Sequence, residues 1–196
     1  MQAIEDFFRG IDRHGPRQSA GKLELRIIGS TALMLQTDYE RGTSDSDVLE
    51  SRNGDAEVRA RLLAIAERGT ELARRHRMHL QIVLEAIPFL PRRPSWHPVP
   101  GLADLTHFTV TVLDIVDVVV SKLLPFRPSD IDDIAAMVAR SLVPHGALVG
   151  RFTDAVAVFA DEARADDLPR CVDNLHQIER DHFGVAASDI QLPSWV

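Results

Sequence analysis

The order of apolar and polar residues divides the chain into two regions of different periodicity. Up to about residue 112, short runs rich in branched apolar residues alternate with amphipathic segments, whereas the later chain shows only the spacings of three and four that are typical of helices. The predicted strands are 23–28, a strand that begins at Asp45, 78–86 and 107–112. The predicted helices are 2–13, 31–35, 56–75, 114–124, 129–141, 146–164 and 168–183.

This succession predicts an α/β (α+β) fold with a mixed sheet and flanking helices. Strands and helices that follow one another in this way form layers around a shared core. We expect residues 1–112 to form the sheet-bearing core and residues 113–196 to form a C-terminal helical region packed on that core.

Polar residues and prolines predict where several of these elements begin or are interrupted. Ser30 is placed to cap the helix after the first strand, and Asp114 is placed to cap the helix 114–124. Ser129, with Asp132 three residues later, is a close relative of the capping box. The proline-rich stretch 88–101 predicts a surface loop of the kind that can cover a ligand.

Composition is that of an ordinary globular protein. The 196 residues are 45% hydrophobic, which is enough to bury a core. The acidic N-terminus lacks the basic and then apolar pattern of a secretory signal, and the most apolar run, 109–124, is interrupted by Asp114, Asp117 and Lys122. A single cysteine, Cys171, excludes an internal disulfide. We therefore expect a cytoplasmic protein with no membrane partner.

Charge is unevenly distributed along the chain. The formal net charge is −7, which argues against a general nucleic-acid binder. Residues 153–196 carry nine acids against three arginines, whereas residues 56–79 carry six arginines against three glutamates. The basic segment indicates either a solvated helix face or a surface that contacts RNA or another acidic partner.

Two short polar motifs predict a shared site. Gly29 and Ser30 end the first strand and open a helix, where a small residue lets a phosphate approach the backbone N–H groups. Asp45 and Asp47 alternate at the start of the next strand, so both carboxylates face the same side, with Cα atoms roughly 6.5 to 7 Å apart. Such a pair suits a divalent cation bound over a triphosphate, because Mg²⁺ prefers carboxylate and phosphate oxygens.

The order of these motifs resembles the core of the polymerase-beta-type nucleotidyltransferase superfamily. Lys122, Arg127 and Asp130 further along are similar to the lysine and the acidic helix start of the branch that contains abortive-infection and toxin-antitoxin nucleotidyltransferase toxins. The likeness covers residues 23–138. It implies a nucleotidyltransferase-type sheet, Mg (or Mn) as cofactor and an NTP as substrate.

The resemblance also implies roles for individual residues. Asp45 and Asp47 would bind the metal, and a third carboxylate from the next strand would complete the site, where Gln81 occupies one position and Glu85 another. Asp130 is an alternative group to activate the acceptor. Lys122 should meet an acid or a phosphate, since a lysine among aliphatic residues is rarely buried without a partner. Nucleotide contacts would come from the following residues: Gly29, Ser30, Arg41, Ser44, Lys122 and Arg127.

Two functions follow from these residues. The first is a Mg-dependent nucleotidyltransferase that moves a nucleoside monophosphate from an NTP to an acceptor, which the resemblance implies to be a tRNA end, a protein or a small molecule such as an aminoglycoside. A toxin of this kind would also have a cognate antitoxin protein. The second is a relative that has lost catalysis and serves as a nucleotide-binding or protein-interaction module. An unrelated α/β protein with chance motifs would instead keep Asp45 and Asp47 far from Ser30.

Overall fold

The computed structural model describes residues 2–15, 21–42, 45–49, 56–84, 87–162 and 164–193. The chain forms two compact units. The first comprises residues 1–87 and 96–113, and the second comprises residues 88–95 and 114–196.

The first unit contains a mixed sheet, as predicted, and the sheet has five strands, one more than the sequence predicts. Its strands are β1 (Leu23–Ile27), β2 (Asp45–Leu49), β3 (His79–Val83), β4 (Trp96–Pro98) and β5 (Phe108–Leu113). They lie in the order β3-β2-β1-β5-β4. The pairs β1–β5 and β2–β3 are parallel, and the pairs β1–β2 and β4–β5 are antiparallel. The first strand therefore lies at the centre of the sheet and β3 lies at one edge.

Four α-helices and a short 3₁₀ helix, Pro100–Leu102, belong to the sheet-bearing unit among the described residues. The α-helices are α1 (Gln2–His14), α2 (Gly29–Gln36), α3 (Ala56–Ala66) and α4 (Glu71–His76). Helix α1 buries Phe7, Phe8 and Ile11 completely. Its periodic apolar face therefore supplies much of the core on that side, as the spacing of three and four predicts.

The single long helix predicted over 56–75 is wrong, because the structure divides it. Helix α3 ends at Ala66 and α4 begins at Glu71. Between them Gly69 has a φ of +96°, which interrupts a right-handed helix. Thr70 then caps α4, since its hydroxyl oxygen accepts a hydrogen bond from the Ala73 N–H.

The proline-rich stretch is also not a surface loop throughout. Within the second unit, Phe89 is fully buried and its ring packs edge to face on Phe152 and Phe159. Within the first unit, the residues of β4 pair with β5, and the guanidinium of Arg26 lies 5.4 Å from the ring centroid of Trp96. The apolar residues among the prolines therefore enter two cores, which proline content alone does not indicate.

The second unit is helical among its described residues. Its helices are α5 (Ile115–Lys122), α6 (Pro128–Ala139), α7 (His145–Phe159) and α8 (Leu168–Ile178), and α8 continues into a π-helical turn, Glu179–Phe183. The Asp114 carboxylate accepts a hydrogen bond from the Val116 N–H, which confirms the predicted cap of α5. The predicted Ser129 cap is wrong: α6 begins at Pro128, and Asp130 accepts from the Arg127 N–H instead.

No helix in the described part of the chain is long and apolar enough to cross a membrane.

Candidate functional site

The turn between β1 and α2 is held directly against β2. The Ile28 N–H donates a 2.9 Å hydrogen bond to the backbone oxygen of Asp47. Gly29 follows with a φ of +65°, a conformation that residues with a side chain rarely adopt. A Cβ at position 29 would lie 3.0 Å from Oδ2 of Asp47. Both the backbone conformation and the close approach of the carboxylate therefore favour glycine at this position.

Ser30 does not cap helix α2, contrary to the prediction. The helix begins at Gly29 with Ile28 at the N-cap, and no side chain accepts a capping hydrogen bond there. Instead, the Ser30 hydroxyl oxygen accepts a 2.9 Å hydrogen bond from Nη1 of Arg41. Two residues predicted to bind the nucleotide are thus joined beside the Gly29 turn. Ser44, the other candidate from this loop, lies outside the described residues.

The two aspartates lie at the start of β2, on the same face. Asp45 is exposed and Asp47 is half-buried, whereas Ser46 between them is fully buried on the opposite face. The hydroxyl of Thr31, itself almost completely buried, donates a 3.0 Å hydrogen bond to the backbone oxygen of Asp45. Helix α2 therefore contacts the backbone that carries the first aspartate.

Strand β3 adds two side chains next to this pair. The parallel register places His79 beside Asp45 and Gln81 beside Asp47. Nε2 of His79 lies 3.3 Å from Oδ1 of Asp45. This contact was not predicted, because it depends on the register between two strands that are far apart in sequence. Alternation along β3, which puts His79 on the same face as Gln81, is the signal that could have revealed it.

The residue of β3 that pairs with Asp47 is Gln81, so the expected third carboxylate is not at this position. Glu85, the other candidate, is outside the described residues. Among the residues that the structure describes, no group of three or more histidine, cysteine, aspartate or glutamate side chains is arranged to hold a metal ion. The described site therefore offers two carboxylates. Their chemistry fits Mg²⁺, which proteins commonly bind through one or two carboxylates while substrate phosphates and waters fill the other positions.

Lys122, Asp130 and Asp133 form a buried ionic cluster within the second unit. Nζ of Lys122 lies 2.9 Å from Oδ1 of Asp130 and 2.8 Å from Oδ2 of Asp133. All three residues are less than 9% exposed. The expected acidic contact of Lys122 is therefore present, and Asp133 is a partner that the sequence analysis did not assign. Oδ2 of Asp130 also accepts from the N–H of Arg127, whose own side chain is exposed.

Two other buried acids in the second unit bind neighbouring segments. Asp117 accepts two 2.7 Å hydrogen bonds from Arg151 and one from the Ser95 N–H. The bond to Asp117 raises the pKa of Arg151. Glu179 accepts hydrogen bonds from His145 and Ser188. Burial acts to raise the pKa of Glu179, but these bonds outweigh it, and the pKa lies below its ordinary value. Both acids hold the fold together.

Comparison with known families agrees with this arrangement. Residues 8–181 match the family described as "Nucleotidyltransferase of unknown function (DUF6036)". The match spans most of the chain, so the protein belongs to this family of nucleotidyltransferases. Neither the curated proteins nor the solved structures gave a significant match.

Proposed function

We propose that the protein is a Mg-dependent nucleotidyltransferase that moves a nucleoside monophosphate from an NTP to an acceptor hydroxyl. The observation that carries this proposal is the contact between the Gly29 turn and the face of β2 that holds Asp45 and Asp47. A backbone turn able to approach phosphate thus adjoins a pair of carboxylates able to bind a divalent cation. Family membership supports the same class of reaction.

In this proposal the protein binds and orients the triphosphate. The backbone N–H groups at Gly29 and Ser30 face the phosphates, and Arg41, held by its hydrogen bond to Ser30, adds a positive charge next to them. Asp45 and Asp47 hold Mg²⁺, or Mn²⁺ in its place. The cation, when bound, neutralises charge on the transferring phosphoryl group.

The acceptor hydroxyl needs a group that can take its proton. We propose Glu85 for this role, with Asp130 as the alternative, as the family resemblance implies. The contacts of Asp130 favour Glu85, because both oxygens of Asp130 already accept hydrogen bonds. The family resemblance also implies Lys122 and Arg127 as phosphate contacts. In a toxin of this kind the partner would be a cognate antitoxin, and co-purification from a strain that carries the neighbouring genes tests that role.

A second candidate function is a nucleotide-binding or interaction module without turnover. Gln81 favours it, because an amide stands beside Asp47 where a third carboxylate would complete the catalytic set. An amide side chain neither binds Mg²⁺ as a charged ligand nor takes a proton from a hydroxyl. Binding and turnover must therefore be measured separately.

Calorimetric titration of each NTP with Mg²⁺ tests the site. Binding to the wild type should disappear in the Asp45→Ala/Asp47→Ala variant. The matched control is Asp166→Ala/Asp173→Ala, which removes two exposed acids from the second unit and should bind like the wild type. No binding to a folded wild type would contradict the proposal.

Turnover separates the two candidate functions once binding is established. An NTP labelled at the α-phosphate should transfer its label to an RNA, protein or small-molecule fraction with release of pyrophosphate. Glu85→Gln should abolish transfer while Mg·NTP binding is kept. Tight binding without pyrophosphate release from any fraction would assign the protein to the second candidate.

A further inference from the structure

A groove of about 370 Å³ lies between α3 and the edge strand β3 of the first unit. Its wall includes side chains from α3, from the turn after α3 and from β3. They include Arg59, Leu63, Arg68, His79, Gln81 and Leu84. The volume lies in the range of sites that hold a small molecule or one end of a larger one.

The groove adjoins the aspartate pair through two of its own lining residues. His79 lines the groove while its Nε2 lies 3.3 Å from Oδ1 of Asp45. Gln81 also lines the groove, and the strand register sets it beside Asp47. A ligand in the groove would therefore have one end next to the carboxylates proposed to bind the metal.

Charge in the groove favours an anion. Arg59 and Arg68 line it with one acidic residue, Glu67. The arginines of the groove therefore outnumber its acids, although the whole chain has a net charge of −7. Guanidinium groups bind phosphate through paired, charge-assisted hydrogen bonds, and they repel a polycation such as an aminoglycoside.

Apolar side chains complete the wall. Leu63, Ile82 and Leu84 line the same groove, and Leu84 is 49% exposed. The groove therefore combines apolar surface with charged groups, as small-molecule sites in proteins commonly do.

We propose that this groove is the acceptor site and that the acceptor is a phosphate-bearing molecule, its phosphate bound by Arg59 and Arg68. This inference rests on the proposed function. The acceptor hydroxyl faces Asp45 and Asp47, and its oxygen forms a bond to the α-phosphorus of the NTP. The bond from that phosphorus to the bridging oxygen breaks, pyrophosphate leaves with the electron pair, and the hydroxyl proton passes to the base named under the proposed function. The phosphate belongs either to a free sugar phosphate or to an RNA.

Calorimetric titrations with three probes test the groove: ribose 5-phosphate, a short 5′-phosphorylated RNA and an aminoglycoside. They are run with and without Mg²⁺ and a non-hydrolysable NTP analogue. At least one phosphate probe should bind the wild type. Arg59→Gln/Arg68→Gln should weaken that binding about tenfold or more, since each lost contact is a hydrogen bond between charged groups. Binding of ribose 5-phosphate indicates a small acceptor, and binding of the RNA alone indicates a polymer.

The matched control is Arg61→Gln/Arg74→Gln. It removes two exposed arginines from α3 and α4 that do not line the groove, and it should bind the probe like the wild type. Three results would each overturn the inference: the phosphate probes bind equally weakly to both double variants, they do not bind the wild type, or the aminoglycoside alone binds. Thermal unfolding confirms that the variants fold.

The same titrations separate this inference from the proposed function. Arg59→Gln/Arg68→Gln should bind Mg·NTP with unchanged affinity, because neither arginine contacts the Gly29 turn in the proposed arrangement. Absence of Mg·NTP binding to the wild type refutes the proposed function and, with it, the assignment of the groove as an acceptor site. The phosphate probes then test only whether the groove binds anions. Intact Mg·NTP binding without probe binding refutes only the groove.

Discussion

The carboxylate of Asp47 lies so close to Gly29 that a methyl group on residue 29 would be 3.0 Å from Oδ2. The same glycine has a left-handed backbone conformation, with a φ of +65°. One residue thus satisfies two requirements of the candidate site, the turn into α2 and the space for an aspartate from the neighbouring strand.

Replacement of Gly29 by alanine should disturb both the fold and the site. The left-handed conformation costs a residue with a side chain about 1–2 kcal/mol, and the new methyl group pushes on Asp47. We expect the free energy of unfolding to fall by about that amount and Mg·NTP affinity to be lost. Gly150→Ala is the control, since this residue lies within α7 with nothing inside 4 Å of an added Cβ. The control should be neutral or stabilising. Equal affinity for Mg·NTP in Gly29→Ala and the wild type would contradict the prediction.

The Thr31 hydroxyl should matter for the position of Asp45. Thr31→Val keeps the shape of the side chain but removes the hydrogen bond to the Asp45 backbone oxygen. Loss of one hydrogen bond costs about 0.5–1.5 kcal/mol, so both the unfolding free energy and Mg·NTP affinity should decrease. Thr31→Ser retains the hydroxyl and should restore most of the affinity. If valine and serine variants bind Mg·NTP equally well, the hydrogen bond does not position the aspartate.

The buried cluster around Lys122 should be essential for stability. Lys122→Met leaves Asp130 and Asp133 buried without their shared cation, which destabilises a protein by about 3–5 kcal/mol. Urea unfolding measures the change. Lys22→Met is a matched control, because Lys22 is the other lysine of the chain and is exposed. A Lys122→Met protein with the unfolding midpoint of the control would show that the cluster contributes little.

Glu179 should make stability depend on pH at the acid end. Its pKa in the folded protein lies below the ordinary value of 4.5, because hydrogen bonds from Ser188 and His145 favour the carboxylate more strongly than burial opposes it. The carboxylate therefore stabilises the fold above about pH 4.5, and this contribution is lost as the pH falls through the lowered pKa.

Glu179→Gln tests this by urea unfolding at several pH values. The variant should be less stable than the wild type by about 1–3 kcal/mol at neutral pH, and the difference should shrink below pH 4.5. Asp166→Asn, at an exposed position of the same unit, should change stability by less than about 0.5 kcal/mol. If the stability difference between Glu179→Gln and the wild type is the same at neutral and acid pH, the lowered pKa of Glu179 is contradicted.

Local patterns in the sequence determined much of the fold and part of the site. Alternation along β2 is a property of any strand, so it was enough to put Asp45 and Asp47 on one face. Helix α1 and the Asp114 cap follow equally local rules, and both were predicted within a residue or two. The mixed sheet with flanking helices was predicted from the same periodicities.

Tertiary structure decided the contacts between residues far apart in the chain. The approach of Asp47 to Gly29 and the contact of His79 with Asp45 depend on how β2 pairs with β1 and β3, and strand register is set by the packing of whole faces. Asp133 forms an ion pair with Lys122 because α5 and α6 pack together. The sequence by itself determined which residues can carry the chemistry, whereas only the folded chain determined which of them are in contact. Strand pairing and helix packing bring together segments that are far apart in the chain, so their distance in space cannot be read from their order.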